Sequence, residues 1–387
     1  MNGRNVTFML AVLLAYVAQG AIWYTMPLIF SQTLASDYFA VGVLISLIPL
    51  IEVLGAVPFG FFADFGRIKA IVFDSMLALL VVPFLFATNI ELLNSVGVFL
   101  LGVGGVGVWI GATAHVSNVM GKKNVKFIGY DFAVMGVGWV AGPILGGFIY
   151  GGFGNVPLAV TELLLIAIAS FLFMKSMRFA SDVSRRHTPK FSKLLSIKDG
   201  LVSRMPRYVV PFLFSAFMYS FFAYAVWVSV PLITRLSSAT VLLGGIVIGV
   251  LGIPFAFGDS LGGRLYVRGH TKTLVGVAMV ASAAFVFAAA FLLKDSFFSL
   301  IILSASALLV TLADVWMFSA VVDIDRQDSG EIAALSVVSG GFGGALGAVV
   351  AGATIVEFRL YAVAAVFGAM ALLYVVLLFG VMRRTRF

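Results

Sequence analysis

The stretch AIWYTMPLIF, Ala21 to Phe30, returns later in the chain as AVWVSVPLIT, Ala225 to Thr234. The two copies keep Ala, Trp, Pro, Leu and Ile at corresponding places, and neither contains a charged residue. Two apolar segments related in this way indicate an internal duplication. A duplication of the whole chain would repeat other segments at a similar offset.

Two further pairs of segments repeat at nearly the same offset. GFFADFGRIK, Gly60 to Lys69, corresponds to GGRLYVRGHTK, Gly262 to Lys272. Glycines in the fifth apolar stretch correspond to Gly343 and Gly347 in the eleventh. These matches predict two six-helix halves, 1–177 and 208–387, joined by a basic cytoplasmic linker, 178–207. Paired halves around a central site are a common transporter architecture.

The composition indicates that lipid is the solvent. Of 387 residues, 61% are hydrophobic and 11% are charged, against about 25% charged in soluble domains. A helix needs about 20 apolar residues to cross ~30 Å of hydrocarbon. The sequence predicts an all-α membrane protein with twelve spans, at approximately 6–30, 39–62, 69–88, 92–114, 127–150, 156–177, 208–233, 240–263, 273–293, 296–321, 332–355 and 360–382.

Lys and Arg are distributed unequally between the two sides of these spans. With both termini cytoplasmic, all 25 lie on the inner side except Arg235, Lys294 and Arg359. This bias is the one that orients membrane proteins, and it explains the net charge of +8 without nucleic acid. The protein is predicted to lie in the plasma membrane. The lipid bilayer is thus an expected partner, nucleic acid is not, and a monomer is expected.

Chemistry that needs cysteine is excluded, because the chain has none. No combination of nucleophile and base suggests an enzyme. The sequence therefore predicts no catalytic residues, no metal site and no cofactor.

Two motifs make the chain resemble the major facilitator superfamily, and in particular its drug/proton antiporters. The loop after the second span resembles the family's signature loop, although it is one residue short and has Phe65 where a basic residue is usual. Its matching residues are Gly60, Asp64, Gly66 and Arg67. The fifth span matches the motif associated with the family's antiporters at Gly138, Gly142, Pro143, Gly146 and Gly147.

The resemblance implies alternating access, with the pair Asp64 and Arg67 acting as an inner latch that stabilises the outward-facing state. One family feature is missing, since the fourth span has no arginine. Its place falls near Gly104 or Gly105, and this departure weighs against proton coupling of the usual form. On spacing alone, Gly138, Gly142 and Gly146 form a smooth helix face, which we expect to lie at the seam between the halves.

Acidic residues within the spans are the candidate coupling groups. A charge at membrane depth is costly and is a functional hypothesis by default. Glu52 is near the centre of the second span, and Asp314 is in the tenth, so both are predicted to bind protons or substrate. Asp74, Asp131 and Asp259 are interpreted as structural, as is His115. Glu162 is interpreted as an outer gate or a snorkelling group.

The remaining span residues narrow the substrate. No Lys or Arg lies in the middle of any span, which disfavours phosphates and dicarboxylates as substrates. Gln19 is the one clear amide near a span centre, and this scarcity of amides disfavours sugars. Tyr24, Tyr224 and Trp227 are predicted binding residues, since an aromatic cavity with carboxylates suits lipophilic cations. Interfacial anchoring accounts equally well for Trp23 and Trp227.

The sequence thus predicts a secondary transporter that exports a lipophilic, cationic or neutral small molecule in exchange for protons. Three other cargoes remain open, namely a lipid, a metal ion and a small metabolite. A metal ion would need Glu52, Asp314, His115 or methionines to converge. A membrane receptor or scaffold that transports nothing is the alternative from another class, and a collapsed central cavity would favour it.

Overall fold

Every regular element that the computed structural model describes is an α-helix. The described residues are 3–64, 67–120, 125–177, 209–236, 240–265, 270–291, 296–324, 329–356 and 360–381. The helices are α1 Gly3–Thr33, α2 Tyr38–Asp64, α3 Ile68–Ala87, α4 Glu91–Met120, α5 Val125–Phe153, α6 Asn155–Met177, α7 Val209–Leu236, α8 Val241–Leu265, α9 Thr271–Phe291, α10 Ser296–Ile324, α11 Ser329–Thr354 and α12 Leu360–Val381.

The predicted twelve-helix membrane fold is confirmed. Each predicted span corresponds to one helix, with ends that agree closely except that α4 continues to Met120. Eleven helices have a described stretch long and apolar enough to cross a membrane. In α10 the described apolar stretch is the shorter Ile302–Met317. The predicted linker, 178–207, lies outside the described residues, so the domain boundaries stay a prediction.

The helix packing repeats after six helices. Helix α1 packs on α5 as α7 packs on α11, α3 packs on α4 as α9 packs on α10, and α2 packs on α4 as α8 packs on α10. Contacts between the first six and the last six helices run mainly through α5 with α8, α2 with α11, and α1 with α7. The helices that carry the repeated sequences are thus also the ones that build the central interface.

The expectation that the motif glycines of α5 lie at the seam between the halves is wrong for three of them. A Cβ on Gly142 would lie 2.8 Å from both Ala21 N and Gly20 Cα, and one on Gly146 would lie 3.1 Å from Ala21 Cα. Gly138 faces the same helix at Tyr16. This face therefore packs on α1, within the first six helices.

A second small-residue face of α5 does lie at the seam. A Cβ on Gly147 would lie 2.9 Å from Val241 O and 3.2 Å from Gly245 Cα, both in α8. Gly147 directly follows Gly146, so it is rotated around the helix from the face that meets α1. Gly343 and Gly347 of α11, which correspond to Gly142 and Gly146, pack on α7, within the last six helices.

The two sets of helices are tied together at one side of the bundle. We call the side where α1 begins and α12 ends the terminus side, and the other the far side. Near the far side Tyr24 Oη donates to Val241 O. Arg235 Nη1 donates to Leu28 O at 3.2 Å and also to Ser31 Oγ. These bonds join α1 to α8 and to α7, so the interface is closed there.

Candidate functional site

A cavity of about 440 Å³ lies between the two sets of helices. Helices α1, α2, α4 and α5 line one wall, and α7, α8 and α11 line the other. The lining residues are Tyr16, Gln19, Trp23, Glu52, Gly105, Val106, Trp109, Met135, Gly136, Trp139, Tyr219, Ser220, Ala223, Tyr224, Trp227, Gly252, Phe255, Ala256 and Val337. This volume is typical of small-molecule sites, so the central cavity is not collapsed.

Aromatic rings form the far-side end of this cavity. Four of the five tryptophans line it. Trp139 meets Trp227 edge to face with ring centroids 5.0 Å apart, and Trp23 meets Tyr224 in the same way at 5.2 Å. Trp23 is only 7% exposed, so it does not anchor the chain at the membrane surface. The interfacial alternative for Trp23 and Trp227 is therefore wrong.

Glu52 is the carboxylate that lines the described cavity. Its Oε2 accepts a hydrogen bond of 3.1 Å from Tyr224 Oη. Glu52 lies on α2 and Tyr224 on α7, so this bond crosses the interface at the level of the cavity. A hydrogen bond to a buried carboxylate is stronger than one between neutral groups. The pair can therefore couple the charge on Glu52 to the relative position of the two sets of helices.

Gly105, and not Gly104, is the α4 position that faces Glu52. A Cβ on Gly105 would lie 3.4 Å from Gln19 Oε1 and 3.6 Å from Glu52 Oε1. A Cβ on Gly104 would instead lie 2.6 Å from Leu79 Cγ in α3. A Cβ at the place of the absent family arginine would therefore fit in ordinary contact with Gln19 and Glu52.

Two predicted site residues lie outside the cavity lining. Tyr24 is fully buried and bonded to Val241 O at the far side. Its contact with a substrate stays a prediction. Asp314 Oδ1 accepts a hydrogen bond of 2.8 Å from Ser215 Oγ, which ties α10 to α7. The role of Asp314 in coupling stays a prediction.

The other ionisable groups are dispersed. His115 packs against the ring of Phe8, with centroids 4.6 Å apart. Asp131 and Glu162 are buried, and each has one carboxyl oxygen without a hydrogen-bond partner. In the described part of the chain no three His, Cys, Asp or Glu side chains form a group suited to a metal ion. The convergence of Glu52, Asp314 and His115 that metal transport could use is therefore not seen there, whereas a site that includes methionines stays open.

The signature loop is only partly described. A Cβ on Gly60 would meet nothing within 4 Å. Arg67 is exposed, and its backbone N–H donates to Phe62 O at 3.1 Å. Gly66 and the side chain of Asp64 lie outside the described residues. The predicted latch between Asp64 and Arg67 thus stays a prediction.

Comparison with known proteins identifies the family. The model of the Major Facilitator Superfamily matches residues 8–325. The chain belongs to this superfamily. Among solved structures, the nucleoside transporter NupG superposes with a TM-score of 0.70 at 16% identity, over 100% of both chains. A D-xylose-proton symporter superposes with a TM-score of 0.69 at 13% identity, over 97% of this chain and 96% of that one.

Two resistance proteins are similar in sequence to this superfamily member. The class B tetracycline resistance protein of Escherichia coli is 25% identical over 297 residues, which is 75% of this chain and 73% of that protein. The class H protein of Pasteurella multocida is 26% identical over 198 residues, 49% of each chain. The superfamily and its solved neighbours are transporters, whereas their cargoes differ. Membership therefore leaves the substrate of this chain open.

Sequence reasoning missed several lining residues of this superfamily member. Trp109 and Trp139 line the cavity, as do Met135 and Phe255. Their helices are apolar all round, so polarity does not mark the inward face. The internal repeat was a partial signal for lining residues. It identified Trp23 and Trp227 as a pair, but it did not identify the residues around them in the cavity.

Proposed function

We propose that this superfamily member exports a lipophilic, cationic or neutral small molecule in exchange for protons. The observation that carries the proposal is that Glu52 is the one carboxylate among the described residues that line the aromatic cavity between the two sets of helices. No Lys, Arg or His is among the described lining residues. A cation can therefore bind there against Glu52 and the aromatic faces, whereas an anion has no opposite charge to meet.

Proton exchange follows from competition at one carboxylate. When Glu52 is charged, it attracts a cationic substrate in a region where water screens little. When Glu52 takes up a proton, that attraction is lost and the substrate leaves. A proton that enters on one side and departs on the other would drive export, provided that proton and substrate exclude each other at Glu52.

Three further observations support this proposal. The two similar proteins from bacteria are named for tetracycline resistance. The α5 motif is complete, and the resemblance links it to antiporters. By sequence, the basic residues fall mainly in the segments predicted on the side of the termini, in keeping with cytoplasmic termini in a plasma membrane. In that orientation, a cavity that is closed at the far side belongs to the inward-facing state. We also infer that a monomer is sufficient for transport.

The test is efflux of a lipophilic cationic dye from proteoliposomes, with and without a pH gradient. We expect the gradient to accelerate efflux by wild-type protein and to have no effect on Glu52→Gln. Glu162→Gln makes the same change at a buried glutamate outside the cavity lining and should retain the acceleration. Gradient-driven efflux by Glu52→Gln would show that the proton assignment is wrong.

A further inference from the structure

Gln19 has an unused hydrogen-bonding group at the cavity. The side chain is 3% exposed and lines the cavity from the middle of α1. Its Nε2 is buried and has no hydrogen-bond partner. A primary amide carries two N–H donors, and leaving them unsatisfied in a buried site is costly. Packing alone does not account for an amide here, because a methionine of similar length would avoid this cost.

The oxygen of the same amide lies beside Gly105, which also lines the cavity. Gln19 Oε1 and Glu52 Oε1 lie 3.4 and 3.6 Å from the position of a Cβ on Gly105. Both atoms accept hydrogen bonds, and Gly105 places no side chain between them. An N–H group of a ligand can therefore enter the space over Gly105. An acceptor beside that N–H would then meet Gln19 Nε2.

We propose that Gln19 and Gly105 form a subsite for a planar ligand that carries an N–H donor next to an acceptor. A primary carboxamide and an aminoazine ring share this edge, and Gln can bind either through two parallel hydrogen bonds, as it does with adenine. This proposal rests on the proposed function, because it specifies which molecules occupy the same cavity. It adds recognition of a hydrogen-bonding edge to the lipophilicity and charge that the proposed function already requires of the substrate.

The aromatic walls agree with a flat ligand. Tyr16 and Trp23 flank Gln19 on the same face of α1, and all three line the cavity. The ring centroid of Trp139 lies 6.0 Å from that of Tyr16 and 6.3 Å from that of Trp23. Stacking on such rings holds a planar group without specificity. The edge at Gln19 then determines which planar groups bind well.

The test compares two neutral probes by quenching of intrinsic tryptophan fluorescence. 2-Naphthamide carries the donor–acceptor edge, whereas methyl 2-naphthoate has the same rings and carbonyl without N–H. We expect wild-type protein to bind the amide about tenfold more tightly, as one or two hydrogen bonds in a buried site imply. In Gln19→Met this preference should disappear. A second arm compares 9-methyladenine with 9-methylpurine, which has no N–H, and it separates an aminoazine ligand from a carboxamide ligand.

Gln32→Met is the matched control, since it makes the same change at an exposed residue of α1 outside the cavity lining. It should keep the preference. The melting temperature of Gln19→Met without ligand should equal or exceed that of wild type, because an unsatisfied buried amide is removed. A lower melting temperature with loss of binding to both probes would assign Gln19 a structural role and overturn the proposal.

Two other results would separate this inference from the proposed function. Equal preference for the amide in wild type and Gln19→Met overturns the subsite, and so does an absence of preference in both arms with wild-type protein. Either result leaves proton-driven dye efflux intact. Conversely, amide preference that depends on Gln19 in a protein without proton-driven efflux supports the subsite and contradicts the proposed exchange.

Discussion

Gly104 and Gly105 are adjacent in sequence, and the structure predicts different responses to the same substitution. A Cβ on Gly105 would reach Gln19 and Glu52 oxygens at ordinary contact distance, 3.4 and 3.6 Å. A Cβ on Gly104 would lie 2.6 Å from Leu79 Cγ and 3.0 Å from Ser75 O, inside the packed contact of α4 with α3. Only Gly104 has no room for a side chain.

We therefore expect Gly104→Ala to reduce stability by about 1–3 kcal/mol, which is typical of overpacking. Gly105→Ala should fold as wild type does, since it gains helix propensity and meets no clash. Thermal unfolding of the two purified variants checks this difference. Equal melting temperatures would mean that α4 is rotated relative to the arrangement described above.

At single residues, sequence reasoning succeeded where polarity was conspicuous. Glu52 and Gln19 stand out in apolar spans, and both line the cavity. Tyr24 and Trp139 show the limit, since an aromatic residue suits lipid, a helix contact and a binding site equally well. Only the rotation of each helix separates these cases. In a helix that is apolar on every side the sequence does not specify that rotation.

At the scale of elements, helix α5 has small residues on two faces with different partners. Gly142 contacts the backbone of α1, where a Cβ would lie 2.8 Å from Ala21 N. Gly152, one residue before the end of the same helix, has nothing within 4 Å of its Cβ position. Close backbone approach at small residues is how membrane helices gain packing contacts.

Gly142→Ala should therefore destabilise the protein by about 1–3 kcal/mol, because backbone atoms give way less easily than side chains. Gly152→Ala is the matched control and should leave stability unchanged or raise it by up to ~1 kcal/mol. Melting temperatures in detergent measure both. A Gly142→Ala variant as stable as wild type would contradict the described contact of α5 with α1.

The existence and ends of the helices could be predicted because they follow from the need to cover hydrocarbon with apolar residues. The helix neighbours could not be obtained in the same way. Gly138, Gly142 and Gly146 predicted a smooth face correctly, yet the partner was assigned to the wrong set of helices. Spacing reveals that a face is smooth, but it carries no information on which helix fills it.

At the scale of the whole molecule, the far-side closure includes a cation. Arg235 on α7 donates to Leu28 O near the C-terminal end of α1. A cation is favoured there, because backbone carbonyls carry partial negative charge at that end of a helix. Together with Tyr24 and Val241, Arg235 stabilises the state in which the far side is closed.

We expect Arg235→Gln to shift the population toward opening at the far side. Ala223 lines the cavity, and the chain has no native cysteine, so Ala223→Cys serves as a single accessibility probe. Labelling by a membrane-impermeant maleimide from the far side should become several-fold faster with Arg235→Gln. With Arg67→Gln it should become slower, since the signature loop is predicted to stabilise the outward-facing state. If Arg235→Gln and Arg67→Gln changed the labelling rate in the same direction, closure at one side would not oppose closure at the other.

Export in exchange for protons requires that substrate and proton compete at Glu52. The direct measurement is proton release on addition of a cationic substrate to purified protein in weakly buffered detergent solution, at a pH where Glu52 carries its proton. Wild-type protein should release protons in proportion to bound substrate, whereas Glu52→Gln should bind more weakly and release none. Equal proton release by the two proteins would contradict the claim.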